Sequence, residues 1–235
     1  MPARYDGAFL AMAGLSQADA VLDVGCGTGA STRAAARLTP YGTVTGIDLS
    51  SAGIEVAVRS SGHLGNVAFA TADAETCALG TGGFNSVISR FGTMYFVDPR
   101  WAYTGIGEAL RKDGQLTILI WQARERNEWV RVVEDCLGPI GSQVLGWTDD
   151  ALVDPSSIHD LLADAGFHRI NFTDVRQPLC LGADAVDASS FVSSLVAHSS
   201  ATGRHRLRTA FAARQMITGE VLLNSAAWLV TARKT

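Results

Sequence analysis

The feature that most constrains this chain is the run at residues 21–29, Val-Leu-Asp-Val-Gly-Cys-Gly-Thr-Gly. Residues 20–24 are apolar and β-branched and read as a buried strand. Three alternating glycines, Gly25, Gly27 and Gly29, follow at once. They permit a tight turn and leave bare backbone at the start of the next helix, read at 30–38 and stopped by Pro40. The rhythm then repeats. Strands are expected at 43–47, 67–70, 84–89 and 115–121. Helices are expected from a Ser50 cap to about residue 61 and over 99–110, with Asp113-Gly114 breaking the chain before the fifth strand. Such alternation predicts an α/β fold, a doubly wound, mostly parallel sheet with helices on both faces. Beyond residue 121 the pattern loosens. A helix is read at 124–137, an irregular stretch at 138–154, a helix at 155–165 ended by Gly166, and a strand at 168–179. Two helical pieces follow over 183–216, broken near Thr202-Gly203, and a last strand at 226–231. The expectation is a single domain over 1–235 with helical cap elements at about 123–154 and 181–220.

Composition narrows the chemistry. The 235 residues carry 19 basic and 23 acidic side chains, a net charge of −4, which disfavours nucleic acid as a partner. Lys112 and Lys234 are the two lysines, so Schiff-base chemistry has few candidates. The cysteines, Cys26, Cys77, Cys136 and Cys180, form no C-x-x-C pair and no zinc spacing, so no metal is expected. Residues 1–10 lack a secretory pattern and no window is apolar enough for a membrane span; a cytoplasmic protein with no membrane partner is the expectation.

Glycine loops serve several ligands. A P-loop is excluded because no Gly-Lys-Ser/Thr follows. Gly25-x-Gly27-x-x-Ala30 satisfies the relaxed nicotinamide fingerprint, but Asp23 would repel a pyrophosphate, and no Tyr-x-x-x-Lys pair exists. Acids instead follow three successive strands: Asp23, Asp48 and Asp73. S-adenosylmethionine, with an ammonium, a ribose diol and an adenine amino group but no phosphate, suits that set. The run 21–29, Asp48 in Gly-Ile-Asp-Leu-Ser, and Asp73-Ala74-Glu75 together resemble class I S-adenosylmethionine-dependent methyltransferases, in particular the ubiquinone-biosynthesis type of domain. Weaker matches lie at 89–92, 95–99, 110–115, Asn127-x-Trp129 and 226–230.

The resemblance implies a seven-stranded Rossmann-like sheet whose last strand is an antiparallel hairpin partner. It implies that Asp23, Gly25, Gly27 and Gly29 line the methionine portion, Asp48 and Leu49 hold the ribose, Asp73 and Ala74 the adenine, and that Ser89 and Arg90 flank the sulfonium. The implied cofactor is S-adenosyl-L-methionine and the product S-adenosyl-L-homocysteine. The short stretch before residue 21 suggests an abbreviated N-terminal helix, and Glu128 stands where many relatives have proline. Arg90 could equally pair with a surface acid. Tyr95, Trp121 and Trp129 either wall an acceptor pocket or belong to the core. No histidine follows the fourth or fifth strand, leaving His198 and His205 as weak candidates for a general base and the catalytic residue unassigned. The expected reaction is methyl transfer to an oxygen, nitrogen or carbon of a small, hydrophobic metabolite or natural product, as in secondary metabolism. Rival readings are an S-adenosylmethionine-binding protein that catalyses a non-methylating reaction such as cyclisation, and a nicotinamide oxidoreductase. A homodimer through the exposed cap face is compatible with either.

Overall fold

The computed structural model describes residues 3–138, 154–196 and 200–235. Its centre is a seven-stranded sheet in the order β3-β2-β1-β4-β5-β7-β6. Strands β1 (Ala20–Val24), β2 (Thr43–Asp48), β3 (Val67–Thr71), β4 (Phe84–Arg90) and β5 (Leu110–Trp121) pair in parallel. β7 (Val221–Lys234) runs antiparallel between β5 and β6 (Phe167–Gly182). This is the doubly wound α/β fold expected from the alternation, with the antiparallel hairpin that the resemblance implied.

Helices form where caps and apolar stripes coincide. They are α1 (Asp6–Ala13), α2 (Ala30–Leu38), α3 (Ser51–Ser61), α4 (Pro99–Ala109), α5 (Glu128–Leu137), α6 (Pro155–Asp164), α7 (Ala185–Leu195) and α8 (Ala201–Ala212). Ser50 caps α3 by accepting from Gly53 N, and Asp98 and Asp154 cap α4 and α6, each followed by proline in the first turn. Central strands are dry on both faces, with Val21, Leu22, Val87, Ile88, Ile118 and Leu119 all buried.

Four boundaries differ from the sequence expectation. The α4–β5 junction falls at Leu110, so Asp113 (φ +59°) and Gly114 lie inside β5, where the register to β4 jumps between Phe84 and Ser86. Four residues, Arg111 to Gly114, there stand against the single Asn85, an irregularity within the strand that begins once α4 has already ended at Ala109. The helix read at 124–137 is a 3₁₀ turn (Arg124–Arg126) and then α5, hinged at Asn127. The break between the late helices precedes Ser200, whose hydroxyl caps α8; Gly203 sits within the helix. The N-terminal helix is present as α1 behind a 3₁₀ turn (Ala3–Tyr5), ending at Gly14 in the left-handed conformation.

β6 and β7 are far longer than the strands read at 168–179 and 226–231. β5 ends where Trp121 pairs with Ala227, but the hairpin continues from Gln177↔Ser225 to Gly182↔Val221. α7 packs on β6, and α8 packs on both α7 and α5. The cap elements expected at 123–154 and 181–220 thus contain α5, α7 and α8; residues 139–153, 197–199 and with them His198 lie outside the described residues.

Candidate functional site

The C-terminal ends of β1 to β5 share one edge, and the order in which the strands are added reverses between β1 and β4. A crevice is expected at that point, and a cavity of about 270 Å³ opens there. Gly25, Asp48, Leu49, Asp73, Ala74, Arg90, Phe91 and Tyr95 are among its walls.

The glycine loop is held in one shape from three sides. Gly25, Gly27 and Gly29 all have positive φ, at +69°, +54° and +77°. A Cβ on Gly25 would lie 2.6 Å from Gly92 Cα, and one on Gly29 would lie 2.9 Å from Ala57 and Phe69. Gly27 has nothing within 4 Å of a built Cβ, so there the open side of the loop needs bare backbone for its conformation alone. The Gly25 and Cys26 amides both donate to Ile47 O, at 2.9 and 3.0 Å. The Gly27 amide donates to Asp48 Oδ2 at 2.7 Å.

The three acids occupy different settings. Asp48, in the cavity wall, also accepts from Ser50 N at 2.8 Å, so its carboxylate spans the loop and the start of α3. Asp73 accepts from Glu75 N at 2.9 Å in a local turn, with its side chain in the same wall. Asp23 is not in the wall. It is 0 % exposed beneath the loop, where Oδ2 accepts from Ser31 and Thr32 hydroxyls at 2.7 and 2.6 Å. Its Oδ1 is buried with no hydrogen-bond partner in the structure. Burial pushes the Asp23 carboxyl up to about 6, opposed by the Thr32 and Ser31 hydrogen bonds and the Arg90 charge.

Ser89 departs from the position implied for it beside a ligand. It is fully buried; its Oγ donates to Val24 O at 2.7 Å and accepts from Thr93 N at 3.2 Å, stitching β4 to β1. Arg90 does line the cavity, and its guanidinium pairs with Asp6 on α1. Leu49 is 67 % exposed at the rim. Gly27 and Gly29 lie behind the wall, in the loop itself. Cys26, buried, has its thiol pushed up to about 12 by desolvation, a setting hostile to a nucleophile.

Sequence reading missed Phe91, Glu75, Asp6 and Tyr5. Phe91 holds φ +63°, a strained value for an aromatic residue. Its ring stacks on Trp121 with centroids 4.0 Å apart and meets Tyr5 edge-on at 5.8 Å. Trp121 in turn tilts against Trp129 at 5.7 Å. Of the three aromatics considered as pocket walls, Tyr95 is in the wall and half exposed, whereas Trp121 and Trp129 are buried in this cluster. Glu75 accepts from the Val97 and Asp98 amides at 3.1 and 2.6 Å, fixing the segment that carries Tyr95 and Phe96. The Phe91-Gly92 pair directly after a buried strand was the one signal that could have revealed the first of these; Asp6 and Tyr5 reach the site only through tertiary contact. Glu128 accepts from Asn224 N and Nδ2 at 3.1 and 2.8 Å, tying α5 to β7.

Among the described residues the cavity wall holds three carboxylates, Asp48, Asp73 and Glu75, against the single cation Arg90. It suits hydroxyl, amino and ammonium donors and repels phosphates, which disfavours a nicotinamide dinucleotide. Among the described residues no group of three or more histidine, cysteine or acidic side chains could hold a metal ion, and no helix is long and apolar enough to cross a membrane.

Comparison with known proteins agrees with this arrangement. Residues 21–114 match the family model described as a methyltransferase domain. The O-methyltransferase cnsE of Penicillium expansum is 31% identical over 168 residues, 69% of this chain and 56% of that protein. The malonyl-[acyl-carrier protein] O-methyltransferase of Magnetococcus marinus is 31% identical over 125 residues, 52% of this chain and 45% of its own. The chain thus spans about half the length of the curated relatives it matches. The crystal structure of YcgJ from Bacillus subtilis superposes with a TM-score of 0.67 at 18% identity, covering 99% of this chain and 98% of that one. By the model matched over residues 21–114, the chain carries a methyltransferase domain, and its glycine loop and strand order are similar to those of class I S-adenosylmethionine-dependent methyltransferases.

Proposed function

We propose that this chain is an enzyme that transfers the methyl group of S-adenosylmethionine to a nucleophilic atom of a small, hydrophobic metabolite. Oxygen is the favoured atom, since both curated relatives are named O-methyltransferases. The observation that carries the reading is the set of acids ending β1, β2 and β3 around a loop of positive-φ glycines, in and beneath a cavity wall with one cation.

The residues present fit the cofactor. Asp48 has lone pairs beyond those used by Gly27 and Ser50 and would accept from the ribose hydroxyls, with Leu49 beside them. Asp73 would accept from the adenine amino group, and Ala74 would pack on the ring. The partnerless Asp23 Oδ1, under the loop, is the acceptor for an ammonium, directly or through water. When bound, S-adenosylmethionine supplies a methyl group already activated on a sulfonium. The protein's part is then chiefly to position: Gly25 lets the ligand lie on backbone, Gly27 and Gly29 shape the loop behind it, and Phe91, Tyr95 and Phe96 exclude water. Among the described residues no histidine lies in the cavity wall, and His205 is exposed on α8. A pre-activated donor tolerates that lack.

Calorimetric titration with S-adenosylhomocysteine, beside NADH, tests the reading. Wild type is expected to bind S-adenosylhomocysteine and not NADH. Asp48→Ala should weaken binding by about a hundredfold, as expected for two hydrogen bonds to a charged acceptor. Wild-type protein that binds NADH, or neither ligand, overturns the proposal. If S-adenosylhomocysteine binds, an acceptor screen by mass spectrometry separates methylation, a gain of one CH₂ on the acceptor, from a non-methylating reaction.

A further inference from the structure

Beyond the end of β5, the extended β6–β7 hairpin and the turn before α5 enclose a second cavity of about 360 Å³. Its walls include Arg126, Arg176, Gln177, Asn224 and Ser225. The two arginines converge on one anchor. Arg176 donates to Asp174 Oδ2 through Nε at 3.2 Å and Nη2 at 2.9 Å, and Arg126 Nη2 lies 3.5 Å from the same oxygen. Gln122 Nε2 donates to Asp174 Oδ1 at 2.9 Å. These partners, Arg176 foremost, hold the Asp174 carboxyl below the usual carboxylate range, so it stays anionic. Each guanidinium carries five N–H groups, and Asp174 engages only some of them. Two cations and one anion leave a net charge of +1. Glu128, which accepts from Asn224 of the wall, faces Arg214 at 3.8 Å.

This cavity adjoins the cofactor crevice through one side chain. The Tyr5 ring packs edge-on against Phe91, in the wall of the first cavity, while its hydroxyl lies 2.7 Å from Ser225 Oγ, in the wall of the second. We propose that the arginine-lined cavity binds a carboxylate carried by the acceptor, and, on the reading that the first cavity holds the methyl donor, so sets which part of the acceptor lies past Tyr5. A guanidinium fork matches a carboxylate in bidentate geometry. The net charge of +1 matches a monoanion better than a phosphate dianion. A carboxylate paired with arginine is a poor nucleophile, so it is a handle, and the reacting atom sits elsewhere on the molecule. The acceptor class is an organic acid with an apolar body.

The test titrates 3-phenylpropionate and its uncharged isostere 3-phenylpropionamide into the full chain, by ligand-observed NMR, with and without S-adenosylhomocysteine. The acid is expected to bind about tenfold more tightly than the amide, as befits charge-assisted hydrogen bonds at a partly exposed site. Arg176→Gln and Arg126→Gln should each erode that preference, and the double variant should abolish it, with S-adenosylhomocysteine affinity unchanged in all three. Both arginines are partly exposed, so the variants are expected to fold, which the far-ultraviolet circular dichroism checks. Equal binding of acid and amide, or a preference that survives the double variant, overturns the proposal. So does inorganic phosphate that displaces 3-phenylpropionate at far lower concentration than acetate, which would assign the site to phosphates. An intact acid preference in protein that fails to bind S-adenosylhomocysteine would support the anion site and sink only the methyl-donor reading, so the two failures are distinguishable.

Discussion

Replacing Gly25 by alanine and, separately, Gly27 by alanine isolates what the glycine loop needs from each position. Both residues hold positive φ, +69° and +54°, so both variants incur the left-handed strain of about 1–2 kcal/mol for a residue with a Cβ. Both also reduce unfolded-chain entropy, and that contribution cancels in the comparison. Only the new Cβ on Gly25 has backbone against it, 2.6 Å from Gly92 Cα and 3.3 Å from its carbonyl carbon. Carbon atoms pack at about 3.5–4.0 Å. The overlap cannot be relieved by a rotamer, because both partners are main chain. Gly92 in turn is pressed against Val24 O, where its own Cβ would fall at 2.6 Å. The end of β4 must therefore move, at a cost of about 1–3 kcal/mol typical of overpacking. Gly25→Ala is expected to lose about 3 kcal/mol and Gly27→Ala about 1 kcal/mol, which in a chain of this size means melting points lower by about 6–12 °C and about 2–4 °C. Scanning calorimetry on the three proteins measures both. Equal losses, or a Gly25→Ala variant within about 2 °C of wild type, would refute the claim that close approach to Gly92, rather than backbone strain alone, dictates glycine there.

Two further outcomes follow from buried groups. The Asp23 carboxyl, raised by burial to about 6, means that the folded chain holds a proton the unfolded chain has released, so stability should fall as pH rises from about 4 to about 6 and stay lower above. Asp23→Asn should flatten that profile and gain up to about 3 kcal/mol at pH 7.5 in urea unfolding; an unchanged slope would clear Asp23 of responsibility. Ser89→Ala strips the bond to Val24 O and the acceptor for Thr93 N, so it should cost about 1–3 kcal/mol. Because Ser89 is not in the cavity wall, the affinity for S-adenosylhomocysteine should change less than about threefold, whereas a loss beyond tenfold would place its hydroxyl on the ligand.

The strands, the glycine loop and the acids after them were legible because their determinants are local. A strand of two-sided apolar character, three glycines and an acid after each of three strands all lie within the first 75 residues, and periodicity reads such features directly. What was illegible depends on distant partners. Arg90 meets Asp6 across 84 positions, and Tyr5 meets Ser225 across 220. The family resemblance implied a ligand contact for Ser89, yet the neighbouring strand's carbonyl claims its hydroxyl. Residues 180–182 and 221–225 were not read as strand, since their pairing with each other beyond the sheet supplies what local composition does not. Asp113-Gly114 has the composition of a helix stop, but the chain has already joined β4 at Leu110, and the pair falls in the register shift before pairing resumes at Gln115.

Among the described residues the wall of the first cavity ends at Phe96, whereas the second draws on Arg126 and on the hairpin, Arg176 to Pro178 and Asn224 to Ala226. The two sets do not overlap along the chain. On the proposed assignment of the two cavities, a library of variants confined to the segments after Trp121 would sample new acceptors while leaving the residues proposed to hold the methyl donor untouched, and recombination at that strand end could graft one protein's appetite onto another's donor site. Tyr5 is the exception to that partition, and it is the first position such an exchange would have to match.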